Sequence, residues 1–104
     1  MSVSRPQTRD QSEDISYLIK AFSVLEDEEE SRRFLHDLCT VGELEIMAQR
    51  LKVASLLFRC ETYNRIADRT GASTATISRI KRFLTNGCGG YRMILERLGE
   101  KGDL

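Results

Sequence analysis

Residues 62–86, TYNRIADRTGASTATISRIKRFLTN, contain the pattern that decides the fold: two short helices joined by a tight turn. Thr62 and Ser73 each stand where an N-cap is expected, because a hydroxyl oxygen can accept a hydrogen bond from a free N–H group of the helix that follows. Gly71 lies between the two helices and can adopt a positive φ angle without steric cost. The stretch therefore predicts one helix that ends before Gly71 and a second helix over residues 74–85.

The small and apolar residues of this stretch fall where a helix-turn-helix needs them. Ala67 lies at the predicted crossing of the two helices, where a small side chain permits close approach. The other positions that need small or apolar residues hold Ile66, Ala72, Ile77 and Ile80. The 20 residues of 63–82 fit the helix-turn-helix template at all of these places, which predicts a DNA-binding motif.

The second helix of the motif divides into two faces. The apolar face holds Ile77, Ile80, Phe83 and Leu84, and the polar face holds Thr74, Ala75, Ser78, Lys81 and Arg82, with Arg79 at its edge. Hydroxyl groups can bond to base edges, and the methyl groups of Ala or Thr can touch the methyl group of thymine. Arg82 can reach a guanine or a phosphate, whereas Lys81 is expected to contact phosphate and to fix position rather than sequence. We predict DNA contacts from Thr62, Asn64, Ser73, Thr74, Ala75, Ser78, Lys81 and Arg82.

Charge is zero over the whole chain but is unevenly distributed along it. Residues 1–49 contain five Lys/Arg and eleven Asp/Glu, whereas residues 50–104 contain eleven Lys/Arg and five Asp/Glu. Residues 62–86 alone carry a local charge of +4. A cationic second half favours contact with phosphate. The alternative is an ordinary solvated face, so the charge supports a DNA-binding interpretation without establishing it.

Upstream of the motif, apolar residues at helical spacing predict three more helices. The first runs over residues 12–25 with Ser12 as its N-cap, and the second begins in the acidic run 26–30. The third runs over residues 41–59, and Thr40 begins it with the spacing of a capping box.

Downstream of the motif, residues 86–90 (NGCGG) predict a flexible break, and residues 91–98 predict a last short helix with Met93, Ile94 and Leu98 as contact residues. The fold class is therefore an all-α, six-helix domain over residues 12–98. A flexible arm of residues 1–11 precedes it, and a tail of residues 99–104 follows.

The helix over residues 41–59 carries apolar side chains around about 220° of its circumference when residues are placed 100° apart. A surface helix usually has an apolar stripe nearer about 100° wide. A chain of 104 residues has few other helices to cover such a surface. We therefore predict a homodimer that interlocks through helices 12–25 and 41–59.

The sequence lacks the residue combinations of most enzyme sites. It has one histidine, no nucleophile paired with a base, and no lysine in the glycine-rich residues 87–90 that would make them a phosphate-binding loop. The three cysteines are widely spaced, so we expect reduced thiols, no bound metal ion and no cofactor. No apolar run approaches the roughly 20 residues of a membrane helix, which predicts a soluble, cytoplasmic protein. The remaining alternative to a DNA-binding regulator is a dimeric protein-interaction module whose helix-turn-helix serves only packing.

Three runs carry a resemblance to a known family: RLKV (50–53), TYNRIA (62–67) and GASTATISR (71–79). They resemble the Trp repressor superfamily, and within it most closely the branch called YerC/YecD. The resemblance covers about residues 12–98. It implies an intertwined homodimer whose two recognition helices enter successive major grooves of double-stranded DNA, and a transcription regulator that represses.

The resemblance also implies a ligand pocket. In that superfamily two arginines sandwich the indole ring of bound tryptophan, and Arg50 and Arg79 match them by motif position. Thr40 matches a residue that lines the same pocket from the other subunit. Arg50 also points into the apolar arc of its helix, for which a salt bridge or a side chain reaching the surface is the alternative explanation.

This chain departs from the tryptophan-binding pattern after the second arginine. Ile80 stands where the superfamily has a glycine, and Phe83 stands where it has a serine that holds the amino group of the ligand. Both changes add bulk and remove polarity. We therefore expect any small-molecule corepressor to be a compound other than tryptophan.

Overall fold

The computed structural model describes the backbone of residues 7–104 and the side chains of residues 11–104. Over this range it contains six α-helices and no strand, which confirms the predicted fold class. The helices are α1 (Gln7–Ser23), α2 (Glu28–Leu38), α3 (Val41–Phe58), α4 (Tyr63–Thr70), α5 (Thr74–Asn86) and α6 (Gly90–Glu100). None of the described helices is both long and apolar enough to cross a membrane.

The two ends of the predicted domain need correction. Helix α1 begins at Gln7, so Ser12 lies inside the helix and does not cap it. Residues 7–11 contain neither glycine nor proline and have adequate helix propensity, but they lack the apolar periodicity on which the prediction relied. Residues 1–6 of the predicted arm lie outside the described residues. At the other end, α6 includes the first two residues of the predicted tail.

The chain divides into two compact units, one up to Thr40 and one from Val41 to Leu104. In the first unit, the acidic run starts α2. Asp27 Oδ1 accepts a hydrogen bond from the Glu30 N–H at 2.9 Å, and Glu30 Oε1 accepts one from the Glu26 N–H at 2.9 Å. This pair is a variant of the capping box in which the Glu30 carboxylate bonds to the residue before the N-cap, and it accounts for the acidic residues as a helix start.

The described residues of the first unit make an aromatic contact but contain no buried core. Phe22 and Phe34 meet edge to face with their ring centroids 5.3 Å apart. None of the described side chains of residues 11–40 is buried in the single chain. The two helices of this unit therefore leave several large apolar side chains partly open to solvent, among them Ile15 and Ile19.

The second unit holds the core of the chain. Helix α3 packs against α4, α5 and α6, and α5 also packs against α4 and α6. The buried apolar residues are Val53, Ala54, Leu56, Ile66, Ala72, Ile77, Ile80, Leu84 and Leu95. On α6, Leu95 is the buried residue, with Tyr91 and Leu98 half-buried beside it, whereas the predicted contact residues Met93 and Ile94 are exposed.

The turn between α3 and α4 passes through Cys60 with a φ angle of 66°. The Cys60 N–H donates to the Leu57 carbonyl oxygen at 2.9 Å, and the Glu61 N–H donates to that of Leu56 at 3.0 Å. These bonds close the end of α3. A residue with a Cβ atom pays about 1–2 kcal/mol for this left-handed backbone, whereas glycine does not.

Replacing this cysteine tests that cost. We expect Cys60→Gly to raise the free energy of unfolding by about 0.5–1 kcal/mol, because the side chain is exposed and glycine relieves the strain. Urea unfolding followed by circular dichroism measures the change. Cys88→Gly is the matched control, since Cys88 is also exposed but has no positive φ angle. A lower urea midpoint for Cys60→Gly would contradict the prediction.

Candidate nucleic-acid interface

Local hydrogen bonds build the helix-turn-helix of α4 and α5. Thr62 Oγ1 accepts from the Arg65 N–H at 3.3 Å, and Ser73 Oγ accepts from the Thr76 N–H at 3.1 Å, so both predicted N-caps are confirmed. Gly71 has a φ angle of 74° and its N–H donates to the Ala67 carbonyl oxygen at 2.9 Å. The predicted glycine turn is therefore confirmed as well.

The turn between the two helices is also fastened to α3. Gln49 Nε2 donates to the Thr70 carbonyl oxygen at 2.9 Å. Thr70 Oγ1 donates to the Ile66 carbonyl oxygen at 2.7 Å and accepts from the Ala72 N–H at 3.1 Å. Sequence reasoning missed Gln49, because a polar residue on a helix gives no sign of a partner 21 residues away. These bonds hold the start of α5 in a fixed place on the core.

The inner side of α5 matches the prediction in part. Ile77, Ile80 and Leu84 are buried in the core, whereas Phe83 is 56% exposed. Phe83, which the sequence places on the same apolar face, is therefore not part of the core in the single chain. On a helix Phe83 and Leu84 lie 100° apart, so the core that buries Leu84 does not also enclose Phe83.

The outer side of α5 forms a surface that we call the recognition face, made of Thr74, Ala75, Ser78, Lys81 and Arg82. Ser78 is half-buried and the other four are exposed. The remaining predicted DNA contacts, Thr62, Asn64 and Ser73, are exposed at the N-terminal ends of α4 and α5. Helix N-termini present free N–H groups to anions. A shallow depression lies on the same side of α5, lined by Ala75, Thr76, Ser78, Arg79 and Arg82.

Two cations of the motif have a partner at the start of α4. Arg65 Nε lies 3.2 Å from Glu61 Oε1, so this arginine forms an ion pair with a residue in the turn just before its own helix. Lys81 Nζ lies 5.8 Å from the centroid of the Tyr63 ring. Sequence reasoning did not single out Tyr63, because its contact with Lys81 joins two different helices.

An open groove of about 620 Å³ lies between α3, α5 and α6, and we call it the arginine groove. It is lined by Arg50, Leu51, Arg79, Ile80, Phe83, Cys88, Gly90, Tyr91, Met93 and Ile94. Four of the five residues predicted for a ligand pocket thus lie together. The fifth, Thr40, belongs to the first unit of the chain.

The arginine groove also corrects the placement of Arg50. This side chain is exposed and lines the groove, and it is not enclosed in the apolar arc of α3. Only Val53 to Leu56 are buried along α3 in the single chain, so no part of the same unit encloses the helix around Arg50. Ile80, by contrast, is 3% exposed and serves both the core and the groove wall.

Comparison with known proteins finds a family whose profile matches most of this chain. The profile of the family described as Trp repressor protein matches residues 13–99. The uncharacterized protein YerC of Bacillus subtilis (strain 168) is 47% identical over 87 residues, which cover 84% of this chain and 84% of the relative.

Two solved structures share the fold at a TM-score of 0.78 each. One is a TrpR-like protein from Eubacterium eligens ATCC 27750, 44% identical, covering 84% of this chain and 90% of that chain. The other was solved as a candidate Trp repressor from Staphylococcus aureus, 42% identical, covering 91% of this chain and 96% of that chain.

Proposed function

The chain belongs to the Trp repressor family, and from that premise we propose that it is a sequence-specific transcription regulator that represses by binding double-stranded DNA. Members of this family bind DNA and are regulators, not enzymes. The recognition face is the observation that carries the proposal for this chain. It combines two exposed cations with short polar side chains on a helix that the core and the turn hold rigidly.

Different residues of the recognition face suit different parts of DNA. Thr74, Ala75 and Ser78 are short, so they allow the start of α5 to approach base edges closely in the major groove. Lys81 and Arg82 extend further and reach phosphate, and Arg82 can also bond to the O6 and N7 atoms of guanine. The N-terminal ends of α4 and α5 add N–H groups for the phosphate backbone.

A homodimer would place two recognition faces on one DNA molecule. The exposed apolar residues of α1 and α3 support this part of the proposal, because a second copy could cover them. A two-fold axis imposes a palindromic site with half-sites about one helical turn apart. Selection of bound sequences from a random duplex library should therefore yield a palindrome.

A salt titration tests the proposed function directly. Binding to a random duplex should weaken steeply as salt rises, because each phosphate contact releases a bound counterion. Binding to the selected palindrome should be tighter at every salt concentration. A protein-interaction module would show neither effect, and genome-wide mapping of bound sites would then show no enrichment upstream of genes.

Arg82→Ala tests the recognition face at one residue. If Arg82 bonds to guanine, binding should weaken by about 1–3 kcal/mol and the preference at that base pair should relax. If it contacts phosphate, the slope of log K against log salt should fall by about one. Fluorescence anisotropy between low and high salt measures both quantities.

Arg97→Ala is the matched control, since Arg97 is an exposed arginine on α6, outside the helix-turn-helix. It removes the same charge from the chain and should change affinity much less. Unchanged affinity and unchanged salt slope in Arg82→Ala would show that this face does not read DNA.

A further inference from the structure

Lys81 and Tyr63 form the only cation–aromatic contact of the described residues that joins α4 to α5. The Lys81 Nζ atom lies 5.8 Å from the ring centroid, within the range of about 6 Å over which a ring face attracts an ammonium group. Tyr63 is the first residue of α4, directly after the capping Thr62. The contact therefore connects the start of α4 to the recognition face.

The two side chains differ in mobility. The Tyr63 ring is half-buried and packs against the core cluster, so its position is fixed by the fold. Lys81 is exposed, and a free lysine side chain samples many rotamers. A fixed ring beside a flexible lysine reduces the number of conformations that the ammonium group samples before DNA arrives.

We propose that Tyr63 is a positioning residue that holds the Lys81 ammonium group in place for a DNA phosphate, an inference that rests on the proposed DNA-binding function. The ring covers one side of the ammonium group and leaves its other N–H donors free to bond to phosphate oxygens. Lys81 then loses part of its conformational entropy already in the free protein and not on binding to DNA. The contribution is to affinity and position, not to base recognition.

Arg65 provides the contrast within the same motif. Its guanidinium pairs with the Glu61 carboxylate at 3.2 Å, so a phosphate contact by Arg65 competes with an existing ion pair. The Tyr63 ring carries no charge, so the contact leaves the full positive charge of Lys81 available to DNA. Of these two held cations, Lys81 is the one that remains ready for phosphate.

A double-mutant cycle on DNA binding tests the proposal. Tyr63→Phe keeps the ring and should bind DNA as the wild type does. Tyr63→Leu removes the ring and should weaken binding about two- to five-fold, the size of an exposed cation–aromatic contact, with the salt slope unchanged. Lys81→Met should lower the salt slope by about one, and Tyr63→Leu should have no further effect in that background.

Three results on DNA would overturn the proposal. Equal loss from Tyr63→Leu with and without Lys81 would make Tyr63 merely structural. Equal loss from Tyr63→Phe and Tyr63→Leu would transfer the role to the hydroxyl group. No loss from Tyr63→Leu would remove the role altogether. Thermal melts verify that each variant folds, and Tyr63→Met replaces Tyr63→Leu if that variant does not.

NMR of the free protein separates this proposal from the proposed function. The ε-methylene protons of Lys81 should be shifted upfield by the Tyr63 ring, and the shift should disappear in Tyr63→Leu. Absence of the shift in the wild type would overturn the positioning role, whatever the protein binds. If the upfield shift is present but the protein shows no salt-dependent DNA binding, the result would instead contradict the proposed function and with it the purpose of the contact.

Discussion

Light scattering at micromolar concentration is expected to give twice the chain mass of 11.9 kDa. The expectation rests on apolar surface that a single chain leaves open. Seven large apolar side chains of α1 and α3 are between 37% and 62% exposed: Ile15, Leu18, Ile19, Phe22, Ile46, Met47 and Leu51. On each of these two helices the exposed apolar residues recur at helical spacing, and an exposed apolar stripe marks an interaction surface. A second copy that packs α1 and α3 against their counterparts would bury them.

Such a dimer would also couple association to folding. None of the described side chains of residues 11–40 is buried, so this unit gains little hydrophobic stabilisation in a single chain. The melting temperature should therefore rise with protein concentration, as it does when folded subunits form only in the oligomer. A well-folded monomer with a concentration-independent melting temperature would contradict the prediction.

Ile19→Glu tests the predicted dimer interface at one residue. Ile19 is 62% exposed in the single chain and belongs to the apolar stripe of α1. Burying a carboxylate in a dimer interface should cost about 2–5 kcal/mol and yield monomer or unfolded chain. Tyr17→Glu is the matched control, because Tyr17 lies about 200° from Ile15 on the same helix and should leave the dimer intact.

The sequence predicts best what local chemistry decides. Two hydroxyl caps and one glycine turn act within a few residues of their own positions, so the start of α4, the turn and the start of α5 follow from the residues alone. The core side of α5 follows from its period, because Ile77, Ile80 and Leu84 recur at helical spacing. The arrangement of these elements on α3 does not follow from any local pattern.

The errors share a physical reason. Phe83 and Arg50 were placed by the pattern of their helices, but their exposure depends on which neighbours cover those helices. On α6, apolar residues at helical spacing mark two possible contact faces, one with Met93 and Ile94 and one with Leu95. Packing in the second unit buries the face that contains Leu95. Helical period predicts a stripe of side chains, whereas burial needs an opposing surface that only the tertiary fold supplies.

The affinity of the protein for free L-tryptophan is expected to be lower than that of a micromolar site by about a hundredfold or more. The arginine groove retains Arg50 and Arg79, whose guanidinium planes can stack on an aromatic ring. Ile80 stands in its wall where the resemblance implies a glycine, and it is fixed there by the core. Overfilling a packed site costs about 1–3 kcal/mol.

The ammonium group of tryptophan meets a second obstacle. None of the residues that line the groove is a carboxylate, an amide, a serine or a threonine, and both charged residues among them are cations. The one hydroxyl group among them belongs to Tyr91, which is half-buried against the core. An unpaired polar group costs about 1–3 kcal/mol. Added to the overfilling by Ile80, this gives a total of about 2–6 kcal/mol, and the middle of that range exceeds the roughly 2.7 kcal/mol that corresponds to a hundredfold loss of affinity.

Isothermal calorimetry with L-tryptophan measures the loss, and Phe83→Ser tests its cause. Phe83 is 56% exposed, so a serine there restores a hydroxyl acceptor without removing a core residue, and the affinity for tryptophan should rise by up to about tenfold. Met93→Ser is the matched control, because it adds the same hydroxyl from α6 on the same groove.

DNA binding by the wild type should be unchanged by added tryptophan, because a ligand shifts an equilibrium only by its differential affinity for the two states. Micromolar binding of tryptophan that also tightens DNA binding would show that Ile80 and Phe83 leave room for the ligand after all.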